Sequence, residues 1–72
     1  MNQGNGMLVS EFTVGDKVVL ANPYLTVGSE NKQGDTYTIV KTTLSFGEWK
    51  SAINDRTGRG YVMGDGEYRL RD

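Results

Sequence analysis

Apolar residues in this chain alternate with polar ones over short stretches. Tyr37 and Ile39 alternate with threonines, and Val18 and Leu20 lie on either side of Val19. Residues two apart in a strand face the same side of a sheet, and β-branched and aromatic side chains pack well on that pleated surface. The pattern therefore predicts strands with one buried face.

The same reading along the chain predicts an all-β domain. Ten glycines and one proline interrupt the sequence and leave no run of ten or more residues with helical periodicity. The five predicted strands are residues 17–21, 36–42, 46–54, 60–63 and 68–71.

The third predicted strand contains the only tryptophan. Alternation places Trp49 and Ile53 on one face and Lys50 and Ala52 on the other. We favour the face of Trp49 and Ile53 as the core face. The alternative is an exposed Trp49 that serves as a binding platform, because tryptophan is frequent at binding hot spots.

The connections carry turn chemistry. Residues 54–58 read Asn-Asp-Arg-Thr-Gly, in which the Asx residues favour a turn start and Gly58 supplies a positive φ. Residues 64–66 predict another tight turn. Residues 22–34 form a connection that is long for so small a domain, and long loops are often functional.

Local connections between short strands predict a meander that curls into a small barrel. The first six residues have no apolar side chain after Met1, so we expect residues 1–10 to be a flexible tail and residues 11–72 to be the domain. Met7 is the alternative first residue to touch the fold.

Several motifs resemble those of a known class of barrels. Phe12-Thr13-Val14-Gly15-Asp16-Lys17-Val18 resembles the opening of SH3-like barrels, including KOW-type, Tudor-like and small phage-encoded proteins. Segments 34–40, 53–58 and 68–70 resemble their second strand, hairpin and closing strand. The resemblance implies a single five-stranded SH3-like barrel. For function it implies a small accessory protein that binds and modulates a host protein in the host cytoplasm.

Composition excludes several classes of chemistry. The chain has no cysteine and no histidine, which removes disulfides, zinc fingers, the commonest general base and the most reactive nucleophile. The longest apolar run is four residues, against roughly 20 for a membrane-spanning helix. We expect a soluble, cytoplasmic, non-enzymatic domain that needs no cofactor and has no membrane partner.

The acidic residues suggest no catalytic or metal site. Asp65 and Glu67 lie two apart in a glycine-rich turn, where turn geometry and solubility explain them; a weak cation site is the alternative reading. The acidic spacing of a calcium-binding loop is absent.

The charge balance decides between two classes of partner. Eight basic and nine acidic residues leave a net charge of −1, whereas nucleic-acid-binding domains are usually basic. The late basic residues predict a solvated face. The alternative is a basic strip, interleaved with Trp49 and Tyr61, that binds single-stranded DNA or RNA.

The aromatic residues point to a binding surface. The chain has seven of them, and a barrel this small buries about four, since each removes roughly 150–250 Å² from water. We predict a module that binds a partner protein through Tyr24, Trp49, Arg56, Arg59 and Tyr61. Nucleic-acid binding is the second hypothesis, and a monomer or a weak homodimer fits either.

Overall fold

Five antiparallel strands form one sheet in the computed structural model, which describes residues 6–22 and 29–71. The strands are β1 (Lys17–Leu20), β2 (Thr36–Leu44), β3 (Gly47–Asn54), β4 (Gly60–Val62) and β5 (Tyr68–Leu70), preceded by a 3₁₀ turn at Val9–Glu11. Their order across the sheet is β4-β3-β2-β1-β5. The predicted all-β class is confirmed, and every predicted strand is present with ends shifted by at most two residues.

The sheet is strongly curved. β4 and β5 lie at opposite edges, which in a flat sheet would stand about 19 Å apart at ~4.8 Å per strand. Only residues 63–67 join them, and the bond from the Glu67 amide to the Gly64 carbonyl folds most of that connection into a turn. Such a turn spans less than about 7 Å, so the two edges bend toward each other.

The core lies inside this curve and is centred on Tyr37, which is fully buried on the middle strand. Its ring meets those of Tyr61 on β4 and Tyr68 on β5 edge to face, at centroid distances of 6.5 and 5.4 Å. The buried apolar residues are Phe12, Val18, Tyr37, Ile39, Ala52, Met63 and Tyr68. The predicted inward faces of β1 and β2 are therefore confirmed.

The predicted core face of β3 is wrong. Ala52 is fully buried, whereas Trp49 is 42% exposed. Ala52 pairs with Ile39 on β2, and directly paired residues of antiparallel strands share a face. Because Ile39 is buried in the core, Ala52 faces inward and Trp49, three positions earlier, faces outward.

Carboxylates close the turns that lead into β1 and β2. At residues 13–16 and again at 32–35, a glycine with φ near +95° to +99° precedes an aspartate. The carboxylates of Asp16 and Asp35 accept the amides of Thr13 and Lys32, each at 2.8 Å. Glycine is favoured at the third position of such turns because it adopts positive φ without steric cost.

The β3–β4 hairpin forms as its sequence predicts. The Asn54 side-chain oxygen accepts the amide of Arg56 at 2.7 Å, which makes an Asx turn. Gly58 has a φ of +80°, and its amide donates to the Asn54 carbonyl at 2.7 Å.

The residues expected to form a flexible tail, 1–10, fall partly outside the described part, which begins at residue 6. The Met7 amide donates to the Tyr68 carbonyl at 2.8 Å, and the Val9 amide donates to the Asp65 carboxylate at 2.8 Å. Met7 and Val9 also pack on the core, so this segment is joined to the domain that was expected to begin at residue 11.

Candidate functional site: two surfaces on the curved sheet

The β2–β3 hairpin extends beyond the core and carries exposed apolar residues at its tip. Pairing between the two strands continues to Leu44 and Gly47. Leu44, Phe46 and Trp49 are 39%, 75% and 42% exposed. We call these three residues the hairpin-tip patch.

Phe46 and Trp49 form an aromatic pair within this patch. Their ring centroids lie 5.9 Å apart and the rings meet at 66°, an edge-to-face arrangement that aromatic pairs prefer. The pair therefore holds two large apolar surfaces in a defined orientation although both residues contact solvent.

Charged groups flank the hairpin-tip patch. A cleft of about 190 Å³ is lined by Val14, Lys41, Glu48, Trp49 and Lys50. The Lys41 ammonium lies 3.6 Å from the Glu48 carboxylate, and both side chains are more than half exposed. An exposed pair of this kind contributes little to stability. Because both side chains are exposed, a partner can reach both charges.

Arg56, one of the predicted binding residues, is bound to other residues of the same chain. Its guanidinium lies 2.8 Å from the Asp35 carboxylate and also donates to the Glu30 carbonyl at 2.7 Å. The pKa of Asp35 is held well below its usual value of 3.8, first by the Arg56 hydrogen bond and then by Asn54. Arg56 therefore anchors the loop before β2.

Asn54 is the centre of this anchor and was not singled out as a site residue by sequence. It is fully buried, and its side-chain amide donates to Asn31 at 2.8 Å and to Asp35 at 3.0 Å. Its side-chain oxygen accepts the amides of Arg56 and Thr57. The Asx-turn signal was visible in the sequence, but the long-range partners were not.

Arg59 and Tyr61 contact the same loop. The Arg59 guanidinium lies 3.1 Å from the Glu30 carboxylate, and the Tyr61 hydroxyl donates to the Asn31 side-chain oxygen at 3.3 Å. Tyr61 also lines a cleft of about 270 Å³ with Leu20, Ser29, Asn31, Val62, Glu67 and Tyr68.

The predicted site residues do not form one surface. Tyr61 pairs with Ala52 and faces inward, whereas Trp49 faces outward, so the two lie on opposite faces of the sheet. Arg56, Arg59 and Tyr61 all contact the loop before β2. Tyr24 lies outside the described residues.

Phe46 is a surface residue that the sequence reading did not place in the site. Its signal was an aromatic beside Gly47 in the turn between two long strands, where no strand face buries it.

Most basic side chains of the described part are bound to protein groups. Lys17, Lys41, Arg56 and Arg59 have carboxylate partners within 4 Å. The Lys50 ammonium donates to the Phe12 carbonyl at 2.6 Å and the Val9 carbonyl at 3.2 Å. Tyr61 and Trp49 lie on opposite faces of the sheet, so the two rings of the alternative basic strip do not share one surface.

Asp65 and Glu67 both accept backbone amides, and the Glu67 bond lies within its own turn, as the turn interpretation predicts. Asp65 accepts the Val9 amide, and Glu67 accepts the Gly64 amide at 2.8 Å. Among residues 6–22 and 29–71 no cluster of three or more metal-ligating side chains occurs. This part of the chain also contains no helix that could cross a membrane.

Burial raises the pKa of two core tyrosines, Tyr37 and Tyr68. A second carboxylate, Asp55, has a lowered pKa because the Thr38 hydroxyl and then Lys17 bind its charged form.

Comparison of the chain with protein-family models, with curated proteins and with solved structures gave no significant match.

Proposed function

We propose that this protein is a non-enzymatic binding module that docks on a partner protein through the hairpin-tip patch. The observation that carries this proposal is the exposed Phe46–Trp49 pair, with exposed fractions of 75% and 42%. Exposed aromatics are costly to leave in water and typically become the anchors of an interface.

The surroundings of the patch support a protein partner. Exposed Lys41 and Glu48 line a cleft together with Trp49 and supply one charge of each sign, and polar groups of this kind are common at the rim of an interface. The resemblance to small phage-encoded barrels adds the proposal that the partner is a host protein on which this chain acts.

A second proposal concerns the fold. We propose that the curved sheet is a partly open SH3-like barrel. The supporting observations are five antiparallel strands, local connections, and edges brought together around Tyr37.

Affinity capture with matched variants tests the function. Wild-type protein, Phe46→Ser, Trp49→Ser and the control Leu70→Ser are immobilised and exposed to lysate. Leu70 is 42% exposed, as is Trp49, so the control removes a similar exposed apolar side chain from another strand. We expect a captured protein whose affinity falls about tenfold or more with each patch variant and stays unchanged with the control.

A purified partner then provides a direct readout. Trp49 is the only tryptophan, so its fluorescence reports burial of the patch when the partner is added. Equal capture by all four proteins, or capture with no change in Trp49 fluorescence, contradicts the proposal.

Nucleic-acid binding has less support in the geometry. Phosphate contacts require a basic surface, and each of four basic side chains has a carboxylate within 4 Å that offsets its positive charge: Lys17, Lys41, Arg56 and Arg59. A mobility-shift assay with single-stranded DNA and RNA at about 50 mM salt decides between the two, because binding that falls steeply with added salt would favour nucleic acid.

A further inference from the structure

The two edge strands of the sheet, β5 and β4, differ in the hydrogen bonding of their outer backbone groups. The outer edge of β5 is paired with the N-terminal segment, because the Met7 amide donates to the Tyr68 carbonyl and the Met7 carbonyl accepts the Gly66 amide at 3.0 Å. A single residue thus bonds to both β5 and the turn before it. Pairing of this kind hides an edge from other chains.

β4 forms the other edge, and its outward backbone groups have no partner among the described residues. Arg59 and Met63 bond to β3 through their backbone groups, and Tyr61 lies midway between them in the ladder. Hydrogen-bonded and non-hydrogen-bonded pairs alternate along antiparallel strands. The amides and carbonyls of Gly60 and Val62 therefore point away from β3.

Contacts at Gly60 agree with this assignment. A Cβ placed on Gly60 would lie 2.6 Å from the Ile53 Cδ1 atom of the opposite strand. Side chains come closest in non-hydrogen-bonded pairs, so Gly60 and Ile53 form such a pair and the Gly60 amide faces outward.

The 270 Å³ cleft adjoins this open edge. Tyr61 and Val62 of β4 form one side, and Glu67 and Tyr68 of the β5 end contribute to its lining. A strand added to β4 would direct alternate side chains toward the cleft, because strand side chains alternate between faces.

The charge that lines the cleft is negative. Glu67 is the only charged residue that lines it in the described part. The Gly64 amide binds the Glu67 Oε1 atom at 2.8 Å and so orients the carboxylate. The partly buried ring of Tyr61 also lines the cleft, and an aromatic ring together with a carboxylate attracts a cation.

We propose that the open edge of β4 binds an extended peptide of a partner protein as an added strand, with a lysine or arginine of that peptide in the cleft beside Glu67. The outward amides and carbonyls of Gly60 and Val62 bind the peptide backbone, as in other cases of strand addition. The carboxylate of Glu67 and the ring of Tyr61 select the basic side chain. This site is separate from the hairpin-tip patch.

A displayed library of random peptides tests the proposal. Peptides are selected on the wild-type chain and then measured against Val62→Pro, Val62→Thr, Glu67→Gln and Trp49→Ser. Proline at position 62 removes an amide that points away from β3, so the ladder to β3 is kept. Threonine at the same position retains the amide.

The selected peptides are expected to contain lysine or arginine. Their affinity should fall about tenfold or more with Val62→Pro and with Glu67→Gln, and stay unchanged with Val62→Thr and Trp49→Ser. Bound peptide should also slow hydrogen exchange at the Gly60 and Val62 amides.

Three results would overturn the proposal: no selected peptide, peptides that bind the proline and glutamine variants undiminished, or peptides that lose affinity only with Trp49→Ser. The last result would assign peptide binding to the hairpin-tip patch instead. If Val62→Pro unfolds the protein, the Glu67→Gln variant and the exchange of the Gly60 amide decide the question.

Discussion

Carboxylate side chains close turns in this protein at four places in the described part. In each, the side chain of the fourth turn residue accepts the amide of the first, at 2.8 Å. The residues concerned are Glu11, Asp16, Asp35 and Glu67. Side chains that bond to nearby backbone groups stabilise turns, so a large share of the acidic residues is structural.

Asn54 combines such a local turn bond with long-range bonds. Replacing it by alanine removes its bonds to Asn31 and Asp35 and leaves the amides of Arg56 and Thr57 without their acceptor. We expect Asn54→Ala to lower the free energy of unfolding by about 2–4 kcal/mol, because two partly buried amides lose their acceptor in addition to the lost bonds to Asn31 and Asp35.

Urea unfolding measures this effect, with Ser51→Ala as control. Ser51 is also buried on β3 but accepts a single side-chain bond, from Thr42 at 2.9 Å, so its loss should be about 1 kcal/mol. Equal losses in the two variants would contradict a central role for Asn54.

At the scale of elements, pairing register decides which residues are accessible. The Phe46–Trp49 pair is exposed because β2 and β3 remain paired beyond the core, out to Leu44 and Gly47. The β3–β4 hairpin is short by contrast, and its geometry depends on one backbone conformation at Gly58.

Gly58 provides a test of that dependence. Its φ is +80°, and no heavy atom lies within 4 Å of a Cβ built there. Gly58→Ala should therefore lower the free energy of unfolding by about 1 kcal/mol through backbone strain alone. Gly58→Asn should lose less, because asparagine tolerates this conformation.

Thermal and urea unfolding of the two variants measure the difference. Equal losses for alanine and asparagine would show that something other than the left-handed conformation sets the cost.

At the scale of the whole molecule, ionic contacts join the loop before β2 to the β3–β4 hairpin, and the shorter of the two is between Arg56 and Asp35. The Arg56 guanidinium bonds both oxygens of the Asp35 carboxylate, at 3.1 and 2.8 Å. The hydrogen bond from Arg56 is the largest cause of the lowered pKa of Asp35.

Because of this contact, the free energy of unfolding depends on pH in the acidic range. The folded-state pKa of Asp35 lies below the 3.8 of an unperturbed aspartate, so the unfolded chain takes up a proton first as the pH falls. The stabilisation by the ionised Asp35 carboxylate is complete above about pH 4 and is lost as the pH falls through the folded-state pKa of Asp35. We expect the free energy of unfolding to decrease below about pH 4.

Urea unfolding between about pH 2 and pH 7 tests this dependence. Asp35→Asn should be less stable than wild type at neutral pH and should lose less stability on acidification. Glu48→Gln, which removes only an exposed pair at 3.6 Å, should keep the wild-type slope. A slope in Asp35→Asn as steep as that of wild type would show that other carboxylates account for it.

The sequence by itself determined the elements of this protein. Alternation at Tyr37 and Ile39 identified the buried face of β2, and the Asn54–Gly58 segment identified a hairpin, because both signals are carried by residues close together in the chain. Glycine and Asx residues act on their own backbone, so their positions are visible without a fold.

Only the tertiary structure decided which face of β3 is buried and which aromatic side chains are exposed. Both faces of β3 carry apolar residues, and the choice between Trp49 and Ala52 depends on pairing with Ile39. Arg56 and Arg59 form ion pairs with Asp35 and Glu30 of the loop before β2, which the sequence did not indicate. Contacts between residues more than twenty positions apart depend on the path of the chain, which no local pattern contains.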